Sequence, residues 1–331
     1  MVGKTVLART RGRIALLFAL CPLVAFAQAA PTQRSFDLQA LSPRFWSVIP
    51  RQARLTHLAT GFGFTEGPVW DARGFLYISD EVQNRIYRLD PGGRRETVVA
   101  LGDPDGNAYD LRLRLLDCAS VLRAIIRVSP SGQYVVLADR YQGKRLNSPN
   151  DLVVKKNGDI YFTDPTGLFR NYPPNAKDPP KPELMFNGVY RVTAAGKLSL
   201  LTNDMPYPNG IAFSPDEKKL YVANSRDDKY WMIYDVKPDG MIANGQKFFD
   251  VTKDQGDGVP DGMKIDTKGN VYATAPLGVM IFTPDGTQVG TLRLPEIPSN
   301  LAFGDADGKT LYITARTGLY RVKLGVAGLR P

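Results

Sequence analysis

Six residues spaced 39 to 59 positions apart, Glu66, Asp105, Asn150, Asn209, Asp261 and Asn300, open six similar phrases in this chain. Each carries a side-chain oxygen, and none is apolar or cationic. Taken singly, an Asn or Asp before Gly reads as a turn former. As a set they read differently. The polar hairpin turn of each phrase comes several residues later, as in Asp266-Thr267-Lys268-Gly269, and Glu66-Gly67-Pro68 makes a poor turn. Three carboxylates brought within about 6 Å would repel one another by roughly 3 kcal/mol per pair at an effective dielectric near 20. Either protons or a bound cation must relieve that. An oxygen-only set of carboxylates and amides suits a hard divalent ion, Ca²⁺ or Mg²⁺ first, with Mn²⁺ or Zn²⁺ as alternatives.

Other chemistries are limited by composition. His57 is the sole histidine, so a Ser-His-Asp triad would have to use it, and multi-histidine zinc sites are excluded. Of two cysteines, Cys21 lies in the N-terminal apolar run and Cys118 follows Leu115-Leu116-Asp117, where a buried core thiol is expected. Residues 1–30 read as a cleaved signal peptide: Lys4, Arg9, Arg11 and Arg13, an apolar run from Ile14 to Ala27, then small residues at Ala25, Ala27 and Ala29. That run is shorter than the ~20 residues a membrane span needs. Its removal lowers the net charge by four, from +9 to +5, and the protein is expected to be periplasmic or secreted. The remaining basic residues are scattered, so no nucleic-acid surface is expected.

The strands of each repeat must position its lead residue. A polar turn comes first in each phrase, then a β-branched and aromatic strand such as Phe75-Leu76-Tyr77-Ile78, Ile160-Tyr161-Phe162-Thr163 or Leu311-Tyr312-Ile313-Thr314. Further strands and Pro/Gly turns complete each unit, and no stretch has a helical period. A period of 40 to 60 residues of short strands predicts an all-β, six-bladed β-propeller over residues 55–326 as a single domain, preceded by an extension at 31–54. The last unit shows only three strands. Leu55–Thr60 is expected to supply its fourth and close the ring, which makes His57 a strand residue rather than a catalyst. In a propeller the first strand of each blade lines the axis, so the lead residues converge on one mouth.

The phrases Glu66-Gly67-Pro68-Val69-Trp70, Leu146-Asn147-Ser148-Pro149-Asn150-Asp151, Pro208-Asn209-Gly210-Ile211-Ala212-Phe213 and Pro260-Asp261-Gly262-Met263 closely resemble the gluconolactonase, senescence-marker-protein (regucalcin) and luciferin-regenerating-enzyme family. The resemblance implies a six-bladed propeller that hydrolyses sugar lactones. It also implies one divalent metal held by Glu66, Asn209 and Asp261, with Asp261 as general base and Asn150 beside the metal, holding substrate or a ligand water. Three departures stand out. Ser148 replaces an Arg that contacts substrate in animal members. Ala119-Ser120 stands where many bacterial lactonases have an acidic residue and a His. Asp105 is an additional carboxylate, either raising metal affinity or sitting in solvent. Ser148, Asp105 and Asn300 are read as substrate contacts, as are Phe169, Arg170 and Tyr172 in a Pro-rich insertion over Gly167–Pro182. Alternative readings are a non-catalytic propeller that binds a metabolite or calcium, and a hydrolase of non-sugar lactones or esters.

Overall fold

Phe75-Leu76-Tyr77-Ile78 shows how the strands are buried on both sides. Leu76 and Ile78 pack with Tyr312 and Leu319 of the last repeat, while Tyr77 packs with Tyr109 and Leu115 of the next. Successive side chains leave a strand on opposite faces, so a sheet sandwiched between two neighbours needs apolar residues at every position. The computed structural model describes residues 35–167 and 181–329. It is a six-bladed β-propeller, and its buried apolar residues fall into six clusters, one at each junction between neighbouring blades.

Blades 1 to 4 are four-stranded antiparallel sheets that begin with the innermost strands Thr65–Asp71, Pro104–Tyr109, Leu152–Val154 and Pro208–Phe213. Blade 5 begins at Met263–Ile265 and blade 6 at Pro298–Gly304. The ring closes as the sequence predicts. Leu55–Thr60 is the outer strand of blade 6, paired with Gly318–Lys323 so that His57 lies opposite Tyr320. The two rings stack at 4.5 Å on the outer side of blade 6, the edge away from its innermost strand. The segment ahead of Leu55 also belongs to the propeller. Asp37–Ala40 pairs with Gln288–Arg293 as a fifth strand of blade 5. Phe45 and Ile49, fully buried, wedge between blades 5 and 6. Among the described residues, no helix is long and apolar enough to cross a membrane.

Candidate active site

Each innermost strand starts at one mouth of the axial channel, and local contacts fix its first residue. In three blades the last residue of the second strand receives the incoming loop. Asp80 accepts from Gly63 N (2.9 Å) and Phe64 N (3.2 Å), Asp164 from Asn147 N (2.9 Å) and Ser148 N (2.8 Å), and Asn224 Oδ1 from Tyr207 N (2.8 Å). Burial pushes the Asp164 carboxyl up to about 7, against the lowering effect of its two backbone donors. A threonine one position earlier holds the lead residue itself. Thr274 Oγ1 accepts from Asp261 N (3.1 Å) and Thr314 Oγ1 from Asn300 N (3.0 Å).

The glycine after a lead residue answers to close packing rather than to a turn. A Cβ on Gly210 would lie 2.0 Å from the Asp261 carbonyl oxygen, and one on Gly67 2.1 Å from that of Asp105. Adjacent blades touch here backbone to backbone. Gly210→Ala is therefore expected to cost about 3 kcal/mol by overpacking and to weaken ligand binding by displacing Asp261. Urea unfolding beside calcium titration would check both.

Five of the six lead residues, Glu66, Asp105, Asn150, Asn209 and Asp261, line one cavity of about 240 Å³. At ~30 Å³ per water, that is room for about eight waters, or an ion and one small ring. Ser148 lines it as well. Asn300 does not. It is buried behind the cavity wall, where its Nδ2 donates to Glu66 Oε2 at 2.9 Å. The expected substrate contact is thus placed as a support for Glu66, because Asn300 lies one residue past the lead position: Ser299 O receives Gly262 N as Asn150 O receives Gly106 N. Phe169, Arg170 and Tyr172 lie outside the described residues, although Pro165 and Gly167 reach the cavity. Ser120 Oγ donates to Pro149 O at 2.8 Å and so steadies the turn that presents Asn150. Cys118 is buried, and burial pushes its thiol well above the ordinary range.

The mouth is more acidic than the six phrases predict. Glu81 and Asp103 also line the cavity, and Arg226 at its rim lies over the Tyr207 ring at 4.3 Å. Both share a phase with the repeat. Glu81 follows the second strand of its blade as Ser120, Pro165 and Ser225 follow theirs, and Asp103 stands two residues before its lead residue as Phe64, Ser148, Tyr207 and Val259 do, all on the cavity wall. Asp105 is buried, not solvated, and accepts from Asn150 Nδ2 at 2.7 Å. Burial first, then the charges of Glu81, Glu66, Asp103 and Asp261, push its carboxyl well above the usual range. Burial likewise raises Glu66 to about 7, although Gly67 N (2.7 Å) and Asn300 Nδ2 both donate to Oε2.

The donor set fits a hard cation. Asn150 Oδ1 is buried with no hydrogen-bond partner, since its Nδ2 is committed to Asp105. A buried acceptor left bare costs about 1–3 kcal/mol. Among the described residues no three His, Cys, Asp or Glu side chains form a metal cluster by themselves. Amide oxygens from Asn150 and Asn209 would have to complete one, as hard oxygen-seeking ions accept.

Residues 64–317 match the SMP-30/Gluconolactonase/LRE-like region. The chain belongs to that family. It is 34% identical to a gluconolactonase of Zymomonas mobilis over 345 residues, covering 95% of each chain. Identity to a 6-deoxy-6-sulfogluconolactonase of Pseudomonas putida is 29% over 263 residues, 76% of this chain and 82% of that one. Among solved structures, a gluconolactonase of Xanthomonas campestris superposes with a TM-score of 0.79 at 33% identity, over 87% of this chain and 94% of the other.

Proposed function

We propose that this member of the family is a lactone hydrolase of the gluconolactonase type, acting on a sugar lactone with one divalent ion in the axial cavity. The observation that carries the metal is the bare, buried Asn150 Oδ1 among converging carboxylates. The lactone is supported by the family and by a polar cavity sized for one small ring. Glu66, Asn209 and Asp261 would hold the ion, with Asn150 Oδ1 beside it; Ca²⁺ is the first choice. When bound, such an ion supplies Lewis acidity to a carbonyl oxygen and neutralises the acid ring.

The protein's own groups divide the remaining work. Asp261 is the base that takes the proton of the attacking water. Asp105, its carboxyl pushed well above the ordinary range by burial and neighbouring acids, lines the cavity and holds the Asn150 amide through Nδ2. The water oxygen bonds to the carbonyl carbon, the acyl–oxygen bond of the ring breaks, and the leaving ring oxygen takes up the proton that Asp261 removed, which gives the open hydroxy acid. Ser148 at the wall offers a hydroxyl where a larger cation would restrict the sugar.

Acid release from a panel of aldonolactones, before and after EDTA and after calcium is restored, tests the assignment. Loss of at least about 100-fold activity on chelation, with recovery, is expected. Turnover that survives chelation rejects metal dependence, and tight ligand binding with no turnover on any lactone or ester would establish a binding propeller instead. Residues 1–30 are proposed to direct export and to be removed. Intact mass of protein from the periplasm or medium would show the truncation.

A further inference from the structure

Beyond the cavity wall lies a further buried acid, Asp151, and one cation, Lys264, acts on it and on Glu66. Asp151 is buried; its Oδ1 accepts from Leu152 N at 2.8 Å, and the Ile211 backbone and the Asn300 side chain also favour its charged form. Glu66 stands above it, close enough for the Asp151 charge to oppose ionisation of the Glu66 carboxyl. Lys264, on the innermost strand of blade 5, acts electrostatically on both carboxylates and lowers both. Its Nζ donates to Met263 O at 3.1 Å and to Asn300 Oδ1 at 3.3 Å. The lower, apolar end of the channel begins at the same side chain, since Lys264 also lines the cavity there with Ile211 and Ala302.

The contacts of Asn300 turn this into a directed relay. Its Oδ1 receives two donors, Leu301 N at 2.8 Å and the Lys264 ammonium. Its Nδ2 must then face Glu66 Oε2 at 2.9 Å. A flipped amide would set oxygen against carboxylate and NH₂ against ammonium. Glu66 Oε2 accordingly carries two donors, from Asn300 and Gly67 N, and Oε1 is the oxygen left to serve the cavity. We propose that Lys264 is a positioning residue: a built-in axial cation that fixes the Asn300 amide and, through it, presents one oxygen of Glu66 to the divalent ion. This rests on the metal reading above. Partners that orient metal ligands from behind typically govern 10- to 100-fold in affinity.

The experiment is calcium titration by calorimetry on the full protein, with circular dichroism and melting curves as controls on folding. Lys264→Met should weaken calcium binding 10- to 100-fold, and Lys264→Arg, which restores a cationic donor, should return it to within about threefold. Asn300→Ser should weaken binding similarly, and Lys264→Met combined with Asn300→Ser should be no worse than Asn300→Ser alone, because both remove one relay. If Lys264→Met does not fold, Lys264→Gln, which keeps a donor but loses the charge, is measured in its place. Unchanged affinity in the folded variant overturns the proposal, as do additive losses. A rise in affinity also overturns it, since repulsion of the ion would then be the ammonium's main effect. A wild-type protein that binds no divalent ion would instead reject the metal reading, and the two failures are distinct.

Discussion

Asp261→Asn is expected to lower kcat/KM for a sugar lactone by about 1,000-fold while leaving the melting temperature within a few degrees. The substitution is nearly isosteric, and what fixes Asp261 is its backbone. Its N–H donates to Thr274 Oγ1, and its carbonyl packs on Gly210. Both contacts survive in Asn. The losses are a negative charge at the cavity and a group able to accept a proton from water. General-base catalysis alone is commonly worth 10²–10⁴-fold, and weaker hold on the ion adds to it. Initial rates by pH-stat with calorimetric calcium binding on the same sample separate the two losses. Full calcium affinity with a collapsed rate identifies Asp261 chiefly as the base; loss of both identifies a ligand. A variant that turns over like the wild type would remove Asp261 from the mechanism.

Much of this arrangement was legible in the sequence, for a definite reason. A propeller repeats one unit around an axis, so residues at one phase of the repeat must meet, and Glu66, Asp105, Asn150, Asn209 and Asp261 do. Ring closure was legible too, because a last unit with three strands needs a fourth and Leu55–Thr60 alternates suitably. The register of blade 6 was not. Ser299 holds the lead position there, its carbonyl receiving Gly262 N as that of Asn150 receives Gly106 N, and Asn300, one residue later and equivalent to Asp151, turns behind Glu66. Lys264 reads as one outward residue of an alternating strand, and only the finished ring shows that outward from blade 5 means into the channel. Glu81 and Asp103 lie at phases of the repeat too, Glu81 with Ser120, Pro165 and Ser225 and Asp103 with Ser148 and Tyr207, and the six lead residues alone did not draw attention to those positions. Thr274 and Thr314 could have been found: each closes an aromatic strand at the same place in its unit, and each holds a lead residue.

The crowding of acids at the mouth leads to the second large effect, competition between protons and metal. With no ion bound, the cavity sheds charge by keeping protons. Glu66 is raised to about 7 by burial, and Asp105 is pushed well above its ordinary range by burial and four neighbouring carboxylates. A ligand carboxylate must be deprotonated to bind, so an ion held by Glu66 as proposed would displace its proton below pH 7. Above pH 7 that proton is already gone and imposes no penalty; below it, calcium affinity should fall roughly tenfold per pH unit. Between pH 7 and pH 5 the loss should reach about 50-fold, and more if Asp105 must also ionise. An ordinary surface carboxylate titrates near 4 and would leave affinity flat over that range. Calorimetry at pH 5, 6, 7 and 8 in two buffers of different ionisation enthalpy gives both the affinity and the protons released. About one proton per ion at pH 6, vanishing at pH 8, is the outcome the structure requires if Glu66 alone titrates. Affinity independent of pH between 5 and 7 would mean that Glu66 is charged in the free protein and that its two donors, Gly67 N and Asn300 Nδ2, outweigh its burial.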